Sequence, residues 1–458
     1  MALLALGLVM TACILRQPEA PEGPAGTAVV TLLPGERHQT LEGFGASLAW
    51  HLNLVVGNPP RRLYQTLFPD LGLDVLRLRN RYQRSEGNDQ NLGQEVEILR
   101  RAREALGHPP KIMLASWSPP AVLKANARER CNSNNNCTLR RDNGQFAYAR
   151  FADYWYDSLQ HYATLGIVPD WIALQNELDF IPPDWEGCKF TPTETDQYPG
   201  YDRALSAVRS RLSRLRSPPK LLGPEVVGVH WHKVGDYLKA VNLDLLDGVS
   251  HHLYEKGPDG VWDWRSPGPD SFVEPMKEAA AAAGKKPIYQ NEFGTEDDRG
   301  TEGGFETASL IHHSLVDEGV VAFLYWNLAW ETPGGLVSVG TSRYKIRDQY
   351  YSLKHYARFT DPGYVRVGAR SDSGDIRVSA FLSPASDRLT VVVLNAGSQR
   401  MLVRVDPGGF AAQSSATYRT TYRPPKSEVW EELGALPPSG VVSMPSRSVA
   451  TVVLGQQG

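Results

Sequence analysis

The chain carries the sequence WIALQNELDF at residues 171–180. It begins with four apolar residues and then ends its apolar character abruptly at the pair Asn176 and Glu177. A short apolar run between a helix-like segment and a stretch rich in Pro, Gly and Asp is typical of a buried strand. A carboxylate just past such a strand lies at its C-terminal end, where alternating strand–helix folds place reactive groups. A second stretch, KPIYQNEF at residues 286–293, repeats the pattern and brings Glu292 to the same kind of position.

Apolar runs of this kind recur along the chain, and a longer helical pattern separates most of them. The eight predicted strands are 41–47, 75–79, 111–116, 171–175, 220–225, 248–254, 287–290 and 320–326. Eight strand–helix units predict a closed (β/α)8 TIM barrel with its active site at the C-terminal ends of the strands. An open doubly wound sheet is the alternative, and it is disfavoured because no Gly-rich phosphate loop follows any strand. The predicted helices are 95–106, 146–165, 201–215, 231–241, 272–283 and 305–318.

The pattern changes near residue 361, where short runs rich in β-branched residues alternate with Ser, Gly, Pro and Asp. This is typical of an antiparallel β-sandwich. The early run 28–33 precedes the barrel and has no helix after it, so we expect it to join the sandwich. The predicted organisation is an export segment with a tether at 1–27, a sandwich strand at 28–42, the catalytic barrel at 43–360 and the fused β-sandwich side domain at 361–458.

The composition is that of a globular protein, with 458 residues, 41% hydrophobic residues and a formal net charge of −3. No basic tract suggests a nucleic-acid partner. Residues 1–12 are apolar and too short to span a bilayer, which indicates an export signal, although its expected basic start is missing. The sequence Met-Thr-Ala-Cys ending at Cys13 resembles the lipobox of bacterial lipoproteins, so we expect an exported, extracellular or lipid-anchored bacterial protein that is a monomer.

Three further cysteines lie inside the predicted barrel. Cys131 and Cys137 bracket a polar loop, which in an oxidising compartment suggests a local disulfide. Cys188 is either free or competes for one of them. No His/Cys spacing resembles a metal site, so no metal is predicted.

Two glutamates at strand ends in one barrel suit the hydrolysis of a glycosidic bond, which needs one neutral acid and one ionised carboxylate. Glu177 is the better acid/base candidate, because the amide of Asn176 beside it can bond the 2-hydroxyl of a sugar. Glu292 is the better nucleophile, because the guanidinium of Arg77 and the phenol of Tyr254 are donors that would keep it ionised. Their strands lie across the barrel mouth, so inward side chains can meet at roughly 5 Å, the separation for retention.

The supporting residues have ordinary structural alternatives. A strand-end Glu is often a helix-cap neighbour or a surface ion pair, and Tyr254 and His252 can be hydrogen-bonded core residues. Trp117 and Trp326 are either packing aromatics or platforms for sugar rings. Two other carboxylates near strand ends are rival catalysts, Glu225 and Glu331. Glu225 ranks lower because it follows Pro224 and has no amide neighbour.

The ordered set of motifs resembles glycoside hydrolase family 30, a family of retaining barrel glycosidases, over about residues 28–455. The motifs are GFGA at 43–46, LRLR at 76–79, ASWSPPAVLK at 115–124, QNE at 175–177, HLY at 252–254, NEF at 291–293, WNLA at 326–329 and FTDPG at 359–363.

The resemblance implies Glu177 as acid/base and Glu292 as nucleophile, with Arg77 and Tyr254 bonded to the nucleophile. It also implies that Asn176, Trp117 and Trp326 contact the sugar, and that no cofactor is needed. Two departures put the substrate in doubt: Leu178 stands where Pro is frequent, and Gln290–Asn291 stand where Thr or Ser is frequent.

Family members act on xylan, glucuronoxylan, β-1,6-glucan, β-1,6-galactan and glucosyl lipids. We expect an endo-xylanase, because an exported enzyme with an aromatic cleft suits a polymer. The alternatives are a β-glucosidase, a β-1,6-glucanase or a galactanase of the same family. A non-catalytic glycan-binding protein on the same scaffold is a further alternative, and it is disfavoured because binding alone does not require both glutamates.

Overall fold

The computed structural model describes residues 25–57, 59–83, 92–254, 268–295, 300–331 and 334–456. The predicted export segment and Cys13 lie outside these residues. No helix among them is long and apolar enough to cross a membrane.

The described elements include both strands and helices up to about residue 357 and are strands from there on. The helices are α1 (Leu52–Val56), α2 (Leu63–Gln65), α3 (Leu92–Leu106), α4 (Tyr148–Thr164), α5 (Tyr201–Leu212), α6 (Lys233–Ala240), α7 (Val273–Ala283), α8 (Gly300–His313) and α9 (Asp348–Ala357). The strands are β1 (Gly26–Thr40), β2 (Gly43–Ser47), β3 (Val75–Arg79), β4 (Lys111–Ala115), β5 (Arg141–Asp142), β6 (Gln145–Phe146), β7 (Trp171–Ala173), β8 (Lys220–Val226), β9 (Gly248–His252), β10 (Ile288–Glu292), β11 (Ala322–Tyr325), β12 (Ala329–Trp330), β13 (Val337–Val339), β14 (Tyr344–Ile346), β15 (Val365–Ser371), β16 (Ile376–Leu382), β17 (Arg388–Asn395), β18 (Met401–Asp406), β19 (Ser414–Thr421), β20 (Glu428–Gly434), β21 (Val441–Met444) and β22 (Ser448–Gly455).

Eight parallel strands close into a barrel in the order β2, β3, β4, β7, β8, β9, β10, β11. Closure is completed by β11 against β2, with Ala322 opposite Gly43 and Tyr325 opposite Ala46. These are the eight strands that the apolar runs predicted, so the barrel is confirmed and the open sheet is wrong.

The alternating sequence of β3 explains how the barrel presents polar groups. Val75 belongs to the apolar cluster inside the barrel, whereas Leu76 and Leu78 belong to the larger core that packs against the helices. Because side chains alternate along a strand, Arg77 and Arg79 follow Val75 into the interior. The interior of the barrel is thus apolar near the N-terminal ends of the strands and charged near their C-terminal ends.

Several predicted boundaries differ from the structure. β7 ends at Ala173, so the last two residues of the predicted fourth strand lie in the loop that leads to Glu177. α8 begins at Gly300 and continues through a π-helical turn to Glu318, although the glycines before the predicted start at Phe305 are poor helix formers. Gly304 lies against the ring of Tyr422, where a larger residue would not fit. The sequence did not predict α1, α2 and α9, the hairpin β5–β6 or the small sheet β12–β14.

The side domain is one nine-stranded sheet that curls around a single apolar core, in the order β20-β19-β22-β17-β16-β15-β1-β18-β21. The two layers expected of a sandwich are therefore joined into one hydrogen-bonded sheet. β1 lies inside this sheet, antiparallel to β15 and parallel to β18. The side sheet contacts the barrel through α9, where His355 bonds the hydroxyls of Thr420 and Thr451 at 2.9 and 2.8 Å.

Cys131 and Cys137 form a disulfide, while Cys188 is buried and reduced. The disulfide loop packs on the segment that follows the acid/base candidate: the Cys131 N–H donates to Trp185 O at 2.9 Å, and Lys189 N–H donates to Cys137 O at 2.8 Å. The loop after β4 and the segment after β7 therefore pack on each other at the C-terminal end of the barrel.

Candidate active site

Glu292 is the last residue of β10, and Glu177 lies in the loop just after β7. The backbone of Glu177 is left-handed, with φ 48°, and its N–H donates to the carbonyl of Glu225 at 3.0 Å. Such a conformation is uncommon for a residue with a side chain and persists where the surroundings fix it. The side chain of Glu177 is 12% exposed and that of Glu292 is 5% exposed, so both open towards the barrel mouth.

The two carboxylates face each other across a short gap. One oxygen of Glu177, one oxygen of Glu292 and a ring nitrogen of His252 all lie within 4.8 Å of one another. Retaining glycosidases have carboxyl groups about 5–5.5 Å apart, and inverting enzymes have them about 6.5–9.5 Å apart. The gap therefore fits attack by a carboxylate rather than attack by an intervening water.

Arg77 is completely buried and links three acceptors at the strand ends. Its Nη1 donates to Glu292 Oε2 at 2.5 Å, and its Nη2 donates to Glu225 Oε1 at 2.9 Å and to Asn176 Oδ1 at 2.8 Å. The planar guanidinium suits such shared contacts with carboxylates. Arg77 thus occupies Oδ1 of Asn176, and this contact does not use the amide N–H groups of Asn176.

His252 lies between the carboxylates and carries a positive charge at neutral pH. Its Nδ1 is 3.3 Å from Glu177, and its Nε2 is 3.8 Å from Glu292 and 4.0 Å from Glu225. Burial acts to lower the pKa of His252, but the negative charge of Glu292 and the nearby carboxylates of Glu177 and Glu225 raise it to about 9.

Two opposing effects act on the pKa of the Glu292 carboxyl group. Burial raises the pKa of its carboxyl group, and the positive charges of His252 and Arg77 oppose that rise. Without these two cations the buried group would take up a proton and lose its nucleophilicity.

Tyr254 lies beside the site, with its ring 6.1 Å from that of His252 and 6.3 Å from that of Phe293. Its backbone N–H donates to Val227 O at 3.0 Å. The hydrogen bond from its phenol to Glu292 stays a prediction.

An aromatic wall borders the charged centre. Trp117 and Trp326 lie 5.7 Å apart, and both pack edge-on against Trp50, at 5.2 and 5.3 Å between ring centroids. The guanidinium of Arg77 lies 4.5 Å from the ring of Trp117. The sequence analysis missed Trp50, although its position three residues after β2 places it at the same edge as the other strand ends.

The two rival carboxylates occupy different places. Glu225 is buried and is a partner of Arg77, so it belongs to the site without facing solvent. Glu331 has a 57% exposed side chain and its nearest ionic partner is His51 at 4.0 Å. Neither has the opposed geometry of Glu177 and Glu292.

The spacing of Glu177, His252 and Glu292 would also suit a divalent cation. Metal-bound histidine is neutral, so a cation at this place would have to displace the proton of His252. Arg77 already neutralises the Glu292 oxygen.

No protein-family model matches the chain. The chain is similar to the glucuronoxylanase XynC of Bacillus subtilis (strain 168), with 23% identity over 395 residues that cover 81% of this chain and 80% of that protein. It shares its fold with a family 30 endoxylanase from Clostridium papyrosolvens C71, at a TM-score of 0.68 and 22% identity, covering 94% of this chain and all of that one. The endo-β1,6-glucanase BT3312 has the same fold, at a TM-score of 0.68 and 16% identity, with 94% of each chain covered.

These likenesses extend over the barrel and the side sheet alike. The residues that carry the sequence motifs are also those that the structure gathers at the barrel mouth. The resemblance of this chain to glycoside hydrolase family 30 is thereby confirmed.

Proposed function

We propose that this protein hydrolyses a β-linked glycan with retention of configuration, with Glu292 as nucleophile and Glu177 as acid/base. The observation that carries the proposal is the separation of the two carboxylates, whose nearest oxygens lie within 4.8 Å. Arg77 supports the division of roles, because its guanidinium donates to the carboxylate of Glu292.

In the first step, Glu292 attacks the anomeric carbon while Glu177 gives its proton to the departing glycosidic oxygen. The bond from the anomeric carbon to that oxygen breaks, and a glycosyl ester forms on Glu292. In the second step, Glu177 takes a proton from water, the water oxygen attacks the anomeric carbon, and the ester bond breaks to restore the Glu292 carboxylate. The amide N–H of Asn176 donates to the 2-hydroxyl of the reacting sugar, a contact that strengthens in the transition state.

We propose xylan as the substrate and endo cleavage as the mode. The names of the similar proteins support this choice, since they include a glucuronoxylanase and an endoxylanase. The wall of Trp50, Trp117 and Trp326 supplies the flat apolar surfaces on which pyranose rings stack. The second candidate substrate is β-1,6-glucan, which the similarity to the glucanase BT3312 favours.

The decisive experiment assays Glu292→Ala on xylans, glucuronoxylan and β-1,6-glucan. We expect activity on a xylan to disappear, and formate or azide to restore part of it with inverted product, because a small anion replaces the missing carboxylate. Glu104→Ala, at an exposed position on α3, is the control and should behave as the wild type. Undiminished hydrolysis by Glu292→Ala would refute the assignment, and glycan binding without hydrolysis by the wild type would favour the non-catalytic alternative.

We also propose that the protein is exported. The disulfide between Cys131 and Cys137 supports this, because such bonds persist in oxidising compartments. Acylation of Cys13 stays a prediction, which mass spectrometry of the membrane fraction tests against a Cys13→Ser variant.

A further inference from the structure

Glu225, at the end of β8, contacts both sides of the catalytic pair. Its carbonyl accepts the N–H of Glu177 at 3.0 Å. Its Oε1 accepts from Arg77 Nη2 at 2.9 Å, and Arg77 in turn binds Glu292 at 2.5 Å. A single residue therefore joins the acid/base by its main chain to the nucleophile by its side chain.

The backbone of Glu225 is shaped for this connection. Its φ is 64°, in the left-handed region, as is that of Glu177. A conformation that non-glycine residues rarely adopt is held only where the neighbouring structure fixes it. Here it turns the carbonyl towards Glu177 while the side chain enters the barrel.

The side chain of Glu225 is 1% exposed and cannot reach a substrate. Asn291 also donates to its Oε1, so two donors from different strands converge on one oxygen. Asn291 is one of the two residues that differ from the Thr or Ser frequent in family 30. In this chain its amide donates to Glu225.

The buried charges balance only with Glu225 ionised. Arg77 and His252 are cations, and Glu292 and Glu225 are the anions that face them. Glu177 then carries or releases its proton without leaving an uncompensated charge among these four groups. An unpaired charge at such depth is costly, so the number of carboxylates matters as well as their positions.

We propose that Glu225 is a positioning residue that fixes both the separation and the charge state of the Glu177–Glu292 pair. The inference rests on the proposed glycosidase function. It predicts that Glu225 acts on catalysis through charge, and that its loss does more than loosen the barrel.

The test is Glu225→Gln, which keeps the shape and an acceptor for Arg77 but removes the charge. We expect kcat to fall by about 100-fold, the size of effect seen when one preorganised electrostatic contact is lost, with KM nearly unchanged. Arg77, no longer shared between two carboxylates, would hold the Glu292 charge more tightly and weaken its attack.

The pH–rate profile separates this role from a purely structural one. Removing the negative charge of Glu225 favours ionisation of Glu292, so the acidic limb moves to lower pH. Glu225 also faces His252 and helps to hold its positive charge, so the alkaline limb also moves to lower pH. Groups that face His252 in the structure are Glu177, Glu225, Glu292 and the ring of Tyr254.

Glu318→Gln is the matched control. Glu318 is another fully buried carboxylate paired with an imidazole, that of His251 at 2.6 Å, on the outer side of β9. We expect it to lower the melting temperature while leaving kcat and both limbs unchanged. Limbs of Glu225→Gln at the wild-type pH, or a loss of kcat no larger than that of Glu318→Gln, would overturn the inference.

Two further variants cover the remaining outcomes. If Glu225→Gln does not fold, Glu225→Asp keeps the charge and shortens the reach, so a lower kcat with unshifted limbs is expected and an unchanged kcat would overturn the inference. Glu292→Ala is rescued by azide and Glu225→Gln is not, because its nucleophile is intact. If the wild-type protein hydrolyses no glycan, the proposed function itself is refuted.

Discussion

Arg77 and Glu292 are separated by 215 positions in the chain and meet at 2.5 Å inside the barrel. The contact joins the second strand of the barrel to the seventh, across the axis. It is a charge-assisted bond between two buried groups, so neither partner is stable there alone. This pair is the link between the fold and the chemistry, because closing the barrel is what brings the cation to the nucleophile.

The first prediction concerns Arg77→Lys. A lysine keeps the charge but offers a point donor, so it cannot span Glu292, Glu225 and Asn176 together. We expect kcat to fall by about 100-fold and the free energy of unfolding to fall by about 2 kcal/mol, the cost typical of losing a hydrogen bond to a charged group. Steady-state kinetics and urea unfolding measure both. Arg100→Lys, at an exposed position on α3, is the control, and equal kinetics of the two variants would contradict the prediction.

The second prediction concerns Glu177→Gln and the quality of the leaving group. Without an acid, departure of a sugar hydroxyl slows by about 100- to 10,000-fold. An aryl glycoside with a nitrophenol leaving group needs no proton, so its first step should stay close to the wild-type rate and the ester on Glu292 should accumulate as a burst. Stopped-flow release of nitrophenol and intact-protein mass spectrometry detect it. Equal losses on both substrate types would argue that Glu177 has another role.

The third prediction is a dependence of stability on pH that originates in His252. Its pKa rises from 6.5 in the unfolded chain to about 9 in the folded protein. A group with a raised folded pKa contributes its full stabilisation below pH 6.5 and loses it as the pH rises towards 9, a loss of about 3 kcal/mol. Urea unfolding of the wild type between pH 6 and 9.5 should show this decline. In His252→Gln the decline should be absent, and parallel curves for the two proteins would count against an imidazolium at this position.

Much of the site could be predicted from the sequence, because its residues lie at the ends of strands that the sequence pattern indicates. The alternation in β3 and the abrupt ends of the runs before Glu177 and Glu292 are local signals that follow from burial. The partnership of Glu225 with Arg77 has no local signal, since it depends on how two strands are placed around a closed barrel. For the same reason the sequence ranked Glu225 as a rival catalyst.

The sheet arrangement of the side domain could not be predicted from the sequence either. Its strands have clear β-branched patterns, yet the pattern does not say whether two layers are separate sheets or one curled sheet, because both bury alternate residues. No strand was predicted over β19, β20 or β21: β19 and β20 consist mostly of polar or partly exposed residues, and β21 has only four residues, of which Val442 and Met444 are buried. Trp50 was also not predicted, because it lies outside any strand. Only its packing against Trp117 and Trp326 in the structure shows that it belongs to the site.

The fourth prediction concerns Trp50→Ala. The indole packs edge-on against Trp117 and Trp326 and covers the guanidinium of Arg79 at 4.5 Å. Its removal takes a stacking surface from the substrate without touching the carboxylates, so we expect KM for a polymer to rise by about tenfold with kcat within about twofold. Trp50→Phe should recover part of the affinity. Trp430→Ala, in the stacked aromatic group of the side sheet, is the control for a lost indole far from the barrel mouth, and a KM like that of this control would contradict the assignment.

The fifth prediction distinguishes the three cysteines that the structure describes. The disulfide between Cys131 and Cys137 closes a short loop, so its removal in Cys131→Ser with Cys137→Ser should cost about 2 kcal/mol of stability by loop entropy. Burial raises the pKa of the Cys188 thiol to about 12, which keeps it protonated and unreactive. Titration with a thiol reagent should therefore find Cys188 masked in the native protein and reactive after denaturation. Because the disulfide loop packs on the segment after Glu177, the double variant should also raise KM more than it lowers kcat. Two results would contradict this prediction: immediate reaction of Cys188 in the native protein, or a double variant that is as stable as the wild type.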